Sequence, residues 1–189
     1  MTTVAYRNFA QVLRGLDVST AVAELARQPE LWHEFTARQT YPGSAHHDTE
    51  CIVLRGPNPD STISVFDDCD SVAWPALELL PECTRLVIRL MDNQISLAVG
   101  RVMVVRLKPG GVIDPHVDEG AYADVYSRFH IPLISGVGNA FTCGDETVTM
   151  LPGTAWRFDH KQRHHVHNDS PDWRTHLIVD LVPYHVEPR

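Results

Sequence analysis

Long hydrophobic runs are missing from this 189-residue sequence. No stretch reaches the length a bilayer-spanning helix needs, so a helical membrane protein is not expected. The start, "MTTVAYRNFA", lacks a basic segment followed by an apolar one and does not read as a signal peptide. Positive charge is in deficit: 16 Lys and Arg face 24 Asp and Glu, a formal charge of −8. That balance argues against nucleic acid or anionic lipid as partners. Cysteine is sparse too. Cys51, Cys69, Cys83 and Cys143 are scattered with no CxxC pair. Without a secretory signal they read as reduced thiols, and the cytoplasm is the expected location. There are no repeats and no low-complexity linkers, so residues 1–189 are expected to form a single domain.

A hydrophobic fraction of 43% is enough for a real core, and 21% charged residues is ordinary for a globular chain. Residues 1–90 read as a mixed α/β part. "VSTAVAELARQPELWHEFTAR", 18–38, offers Ser19 or Thr20 as a helix N-cap, and Pro29 divides it into two short helices. "YPGSAHHDTE", 41–50, reads as a loop, "CIVLRG", 51–56, as a strand, and "WPALELL", 74–80, as a helix. From about residue 85 short β-rich runs follow one another between Gly and Pro turns. They are "TRLVIRL", "SLAVGRVMVVRLKPGG", "RFHIPLI", "NAFTCG", "ETVTMLPG", "AWRFDH", "HHVHN" and "THLIVDLVP". Closely spaced short strands predict a sandwich or small barrel. A jelly roll over 91–189, whose mouth can hold a metal and a ligand, fits best.

Histidine is abundant, with 11 residues, most of them in the last third of the chain. In "GGVIDPHVDEG", 110–120, His116 and Asp118 stand two apart, on one face of an extended chain. Such a pair suits a metal site, a general-base pair or a solvated strand end, and a lone H-x-D is common by chance. A third ligand has to come from a facing strand. "FDHKQRHHVHN", 158–168, offers His160, His164, His165 and His167, although by itself that tract reads as a polar strand edge. Two imidazoles and a carboxylate on one face suit non-haem Fe(II), while zinc and nickel also accept the set. Arg174 follows on an otherwise apolar strand. It has to meet either an anionic ligand, such as a dicarboxylate, or a surface ion pair.

These pieces together resemble the aspartyl/asparaginyl β-hydroxylase family of iron(II)- and 2-oxoglutarate-dependent dioxygenases, near its bacterial free-proline hydroxylase branch. The matching stretches are "LKPGGVIDPHVD", "SRFHIPLI", "FTCGDETVTMLPGTAWRFDHKQRHHVHNDS" and "WRTHLIVDLVP", from about residue 100 to 185. The resemblance implies a double-stranded β-helix with iron held by His116, Asp118 and His164. His164 is selected because the family's H-x-V-x-N and its following arginine align with His164–Asn168 and Arg174. Arg174 would bind the far carboxylate of 2-oxoglutarate, with Arg128 and His130 assisting. Two departures stand out. Peptide-hydroxylating relatives have glycine where this chain has Asp118. A hydroxyl residue that helps hold 2-oxoglutarate aligns with Val105, for which another hydroxyl or Arg106 has to substitute.

The implied chemistry is hydroxylation of an unactivated C–H bond, driven by O2 and by decarboxylation of 2-oxoglutarate to succinate. An amino acid, free or in a small peptide, is the expected substrate, with Arg55, Arg106 and Arg128 as candidate anchors for its carboxylate. The 41–50 loop is a candidate cover for the site. A different class, a zinc- or nickel-binding cupin-like module or small-molecule sensor, shares the ligand pattern but gives Arg174 no task.

Overall fold

The computed structural model describes residues 6–183. Met1–Ala5 and His185 therefore lie outside the described residues. The chain opens with β1 (Phe9–Arg14), α1 (Ser19–Ala26), a 3-10 turn (Pro29–His33) and α2 (Ala37–Thr40). Next come β2 (Thr49–Gly56), β3 (Val72–Ala73), α3 (Ala76–Leu79) and α4 (Pro81–Gln94). The remainder is β4 (Ser96–Leu107), β5 (Val112–His116), α5 (Ala121–Val125), β6 (Ser127–Ile134), β7 (Asn139–Cys143), β8 (Glu146–Val148), β9 (Thr154–Phe158), β10 (His164–Asn168) and β11 (Arg174–Pro183).

The strands form two sheets, and every pairing is antiparallel. One sheet has seven strands in the order β1-β9-β6-β11-β4-β2-β3, and the other four in the order β5-β10-β7-β8. Alternation along the central strands assigns each face its task. Val102 and Val104 of β4, Phe129 and Ile131 of β6, and Leu177, Val179 and Leu181 of β11 pack with residues of α1 and α4. The opposite parity faces inward. There Phe9, Leu107, Ile113, Phe141, Trp156, Phe158 and Val166, drawn from both sheets, close the core between them. The same face carries Arg128, His130, Arg174, His176 and Asp180, whose positions alternate with the helix-facing residues.

Several sequence expectations need correction. "TRLVIRL" is not a strand but part of α4. Cys83, Leu86, Val87 and Leu90 are its buried residues, spaced as one helical face, and Pro81 opens its first turn. The buried Glu24 carboxylate of α1 accepts the backbone N–H groups of Glu82 at 3.1 Å and of Cys83 at 3.2 Å. A carboxylate from a different helix thus caps α4. Neither Ser19 nor Thr20 caps α1. Ser19 is its first residue, and Asp17 Oδ1 accepts the Ser19 backbone N–H at 3.0 Å and its hydroxyl at 2.6 Å. "WPALELL" supplies only the single turn of α3, and β1 had no clear signal in the sequence. All four cysteines are free. No helix among the described residues is long and apolar enough to cross a membrane.

Candidate metal centre

The Pro-Gly-Gly turn leads β4 into β5. Gly110 has φ 68°, a left-handed value glycine adopts without strain, and its N–H meets the Asn168 carbonyl at 2.8 Å. Asn168 is fully buried and donates from Nδ2 to the carbonyls of Leu107, Lys108 and Asp172, at 3.0, 3.0 and 2.8 Å. It fastens the end of β10 to the turn before β5. β10 then runs antiparallel to β5 with His164 directly opposite His116. Alternation buries His164, Val166 and Asn168 and leaves His165 and His167 half-buried. β5 ends at His116, so Asp118 follows in a loop, held where its N–H meets the His160 carbonyl at 3.1 Å. One ligand atom each from His116, Asp118 and His164 lies within 4.8 Å of the others. His160, another candidate from the sequence, has its Nε2 at 3.0 Å from the Ala123 carbonyl.

Both imidazoles of this group are set for coordination in the same way. Nδ1 of His116 lies 2.7 Å from the Asp114 carbonyl and Nδ1 of His164 lies 2.9 Å from the Gln162 carbonyl. A carbonyl only accepts, so each Nδ1 carries the proton and each Nε2 keeps its lone pair. Burial lowers both imidazole pKa values, that of His164 to about 4, so both rings are neutral near pH 7. Burial pushes the Asp118 carboxyl the other way, but Arg128 and then the nearby imidazoles outweigh it and hold the group below the usual carboxylate range. Two neutral nitrogens and an ionised oxygen fit Fe(II), and zinc or nickel by the same chemistry.

Arg128 does not reach out with a free guanidinium. Its Nη1 meets Asp118 Oδ2 at 2.5 Å, while Nε and Nη2 grip Asp180 at 2.8 and 3.0 Å. Asp180 also accepts the Tyr122 hydroxyl at 3.1 Å. One Asp118 oxygen is therefore held by Arg128, and Oδ1, 3.8 Å from His116 Nε2, is left toward the imidazoles. Arg174 is 4% exposed and makes no ion pair among the described residues, which excludes the surface salt bridge. Its Nη2 lies 3.2 Å from Nδ1 of His176, which in turn lies 3.2 Å from Nδ1 of His130. His176 is the cross-strand neighbour of Val105. Arg106 cannot stand in for the hydroxyl missing at Val105. It points to the other face of β4, between the rings of Trp32 and Trp173 and paired with Glu50. Arg55 is spent on the carbonyls of Gly100 and Ser71.

Sequence reasoning missed Arg38, His46, Asp180 and His176. Only the last two had a signal, their inward parity on β11 with Arg174. The 41–50 loop does lie beside the triad. Asp114 N–H meets the Ala45 carbonyl at 2.9 Å, and the His46 ring stands edge-on to His116 with centroids 4.9 Å apart. Two open grooves, one lined by Leu31, Phe35 and Trp74 and one by Leu16, Val18 and Gly153, include none of the triad residues.

Two antiparallel sheets around such a triad place the chain in a known structural class. It is similar in fold to a 2OG-Fe(II) oxygenase family oxidoreductase from Burkholderia pseudomallei, with a TM-score of 0.53 and 20% identity over 89% of this chain and 83% of that one. A prolyl-4-hydroxylase from Pseudomonas putida gives a TM-score of 0.53 at 14% identity, covering 94% of each chain. Residues 63–183 match the aspartyl/asparaginyl β-hydroxylase model, and the chain belongs to that family. A curated relative, L-proline cis-4-hydroxylase from Rhizobium meliloti (strain 1021), is 28% identical over 145 residues, 73% of this chain. The chain spans about half (51%) of that relative's length.

Proposed function

We propose that this chain is an iron(II)- and 2-oxoglutarate-dependent dioxygenase that hydroxylates an unactivated C–H bond of an amino acid, free or in a small peptide, on a double-stranded β-helix. The observation that carries the reading is the convergence of His116, Asp118 and His164, with both Nε2 atoms freed, opposite the sheet whose inward face carries Arg174, which has no ion pair among the described residues. His116, Asp118 and His164 would hold the iron. Bound together with 2-oxoglutarate and O2, it supplies the oxidising power for C–H hydroxylation, with succinate and CO2 as co-products.

The residues divide the remaining work. Arg128, anchored by Asp180, fixes the Asp118 carboxylate so that one oxygen faces the imidazoles. Arg174 takes the far carboxylate of 2-oxoglutarate. Its N–H donates to His176 Nδ1, so His176 carries its proton on Nε2, which is buried and has no partner among the described residues. His130 lines the pocket beside it, between the rings of Phe141 and Phe158. The apolar residues between the sheets exclude water from the reacting centre.

The test is direct. Anaerobic Fe(II) with 2-oxoglutarate is expected to give a weak visible charge-transfer band, and a screen of amino acids and short peptides in air to give succinate. His116→Ala, Asp118→Ala and His164→Ala abolish both, whereas His165→Ala and His167→Ala only weaken turnover. Loss of the band in His165→Ala with retention in His164→Ala would move the ligand. A protein that binds zinc or nickel but never gives the band is the cupin-like module instead.

A further inference from the structure

Among the described residues, the guanidiniums of Arg38, Arg128 and Arg174 are buried close to the space between the sheets. Arg128 is balanced by Asp118 and Asp180, and Arg174 is accounted for by the dicarboxylate. Arg38 is not. It comes from α2, and its Nη1 lies 3.2 Å from Sδ of Met103, on the inward face of β4. Its Nη2 lies 3.0 Å from Nε2 and 3.3 Å from Nδ1 of His46. Among the described residues its Nε is buried with no partner, and no ion pair includes it.

A guanidinium carries five N–H donors and seeks flat, anionic acceptors. Here a thioether and an imidazole, both neutral and one a weak acceptor, occupy the places a carboxylate would fill. Burial works against its charge and lowers its pKa. The position is equally telling. His46 stands edge-on to His116, so Arg38 lies one ring beyond the triad. The segment is held there: the Ser44 hydroxyl donates to the Arg38 carbonyl at 2.5 Å and accepts the His46 N–H at 3.0 Å. Arg38 approaches from α2 and Arg174 from β11, so the two cations belong to different elements. Both lie inside the fold, but Arg38 and His46 fall outside the 63–183 stretch that matches the family model.

We propose that Arg38, with His46, seats the carboxylate of the substrate, so that the site takes small acids whose carboxylate is free. This rests on the dioxygenase reading above and narrows it. Free amino acids, or a C-terminal residue, qualify. An internal peptide residue, with a neutral carbonyl there, leaves the guanidinium unpaired.

The experiment uses the full chain loaded anaerobically with Fe(II) and 2-oxoglutarate, so that binding is read without turnover. Ligand-observed NMR measures the affinity of the common amino acids, each as the free acid and as its primary carboxamide. At least one free acid is expected to bind, with its carboxamide weaker by about a hundredfold or more. Arg38→Gln should bring the acid down to the level of the amide and leave the amide and the charge-transfer band unchanged, with Arg38→Lys in between. Equal binding of acid and amide by the wild type overturns the assignment without any variant. So does an equal loss for both in Arg38→Gln, or a panel in which nothing binds while the band is present. A wild type that gives no band takes down the dioxygenase reading, and this assignment with it.

Discussion

At the residue scale the decisive groups are those with more donors than acceptors around them. Arg174 is buried against Phe141, with the guanidinium 5.8 Å from the ring centroid, and its one side-chain hydrogen-bond partner among the described residues is His176. Burial lowers its pKa to about 9, so its charged form lacks internal support. If a cosubstrate carboxylate provides that support, Arg174→Ala removes a charge-assisted, two-pronged contact worth about 2–5 kcal/mol. Affinity for 2-oxoglutarate should then fall by roughly two orders of magnitude or more, at tenfold per 1.4 kcal/mol. Iron binding should persist, because Arg174 ligates nothing. Titration of the charge-transfer band with 2-oxoglutarate measures both. An unchanged affinity would leave Arg174 as a residue of the core only.

At the scale of elements, the triad is held from behind by a relay across two strands and a loop. Asp180 on β11 grips Arg128 on β6, and Arg128 grips Asp118 just after β5. Asp180→Asn keeps the shape and removes one charge of a buried pair, which typically costs about 3–5 kcal/mol of stability. Iron affinity should fall roughly 10- to 100-fold, the usual effect of losing a partner behind a ligand. Urea unfolding and an iron titration on the same preparation separate the two effects. Unchanged iron affinity would show that Arg128 does not position Asp118. The parts of the site differ in how far the sequence announces them. His116, Asp118 and Arg174 stood out by turn, spacing and strand position, whereas His164 was singled out from four histidines only by the family resemblance. Arg38 and His46 were not legible, because a short helix and a loop acquire meaning only when folding sets them against β4 and β5. The β-branched residues and hidden cap of α4 explain its reading as a strand. Its buried residues recur at helical spacing, but the carboxylate that starts the helix sits on α1.

At the scale of the whole molecule, the interior keeps several imidazoles neutral, and this ties stability to pH. His130 and His176 are the clearest cases, being 6% and 1% exposed and remote in sequence from the triad. Burial, then the charge of Arg174, holds both pKa values well below the ordinary 6.5. Below pH 6.5 the unfolded chain therefore binds protons that the folded chain refuses. The stability these groups contribute is fully present above that value and is lost as pH falls beneath it. Each imidazole then gives a slope of about 1.4 kcal/mol per pH unit. Between pH 7 and pH 5 stability should therefore fall, by at most about 4 kcal/mol for the two together, against a total of roughly 5–15 kcal/mol for a typical domain. Urea unfolding of the protein in chelator at pH 7 and pH 5 measures the loss. In His176→Leu the slope should fall by one imidazole's share, even if the variant is less stable at both values. An identical slope in wild type and variant would mean that His176 is protonated in the folded state, and that its Nδ1 does not accept from Arg174.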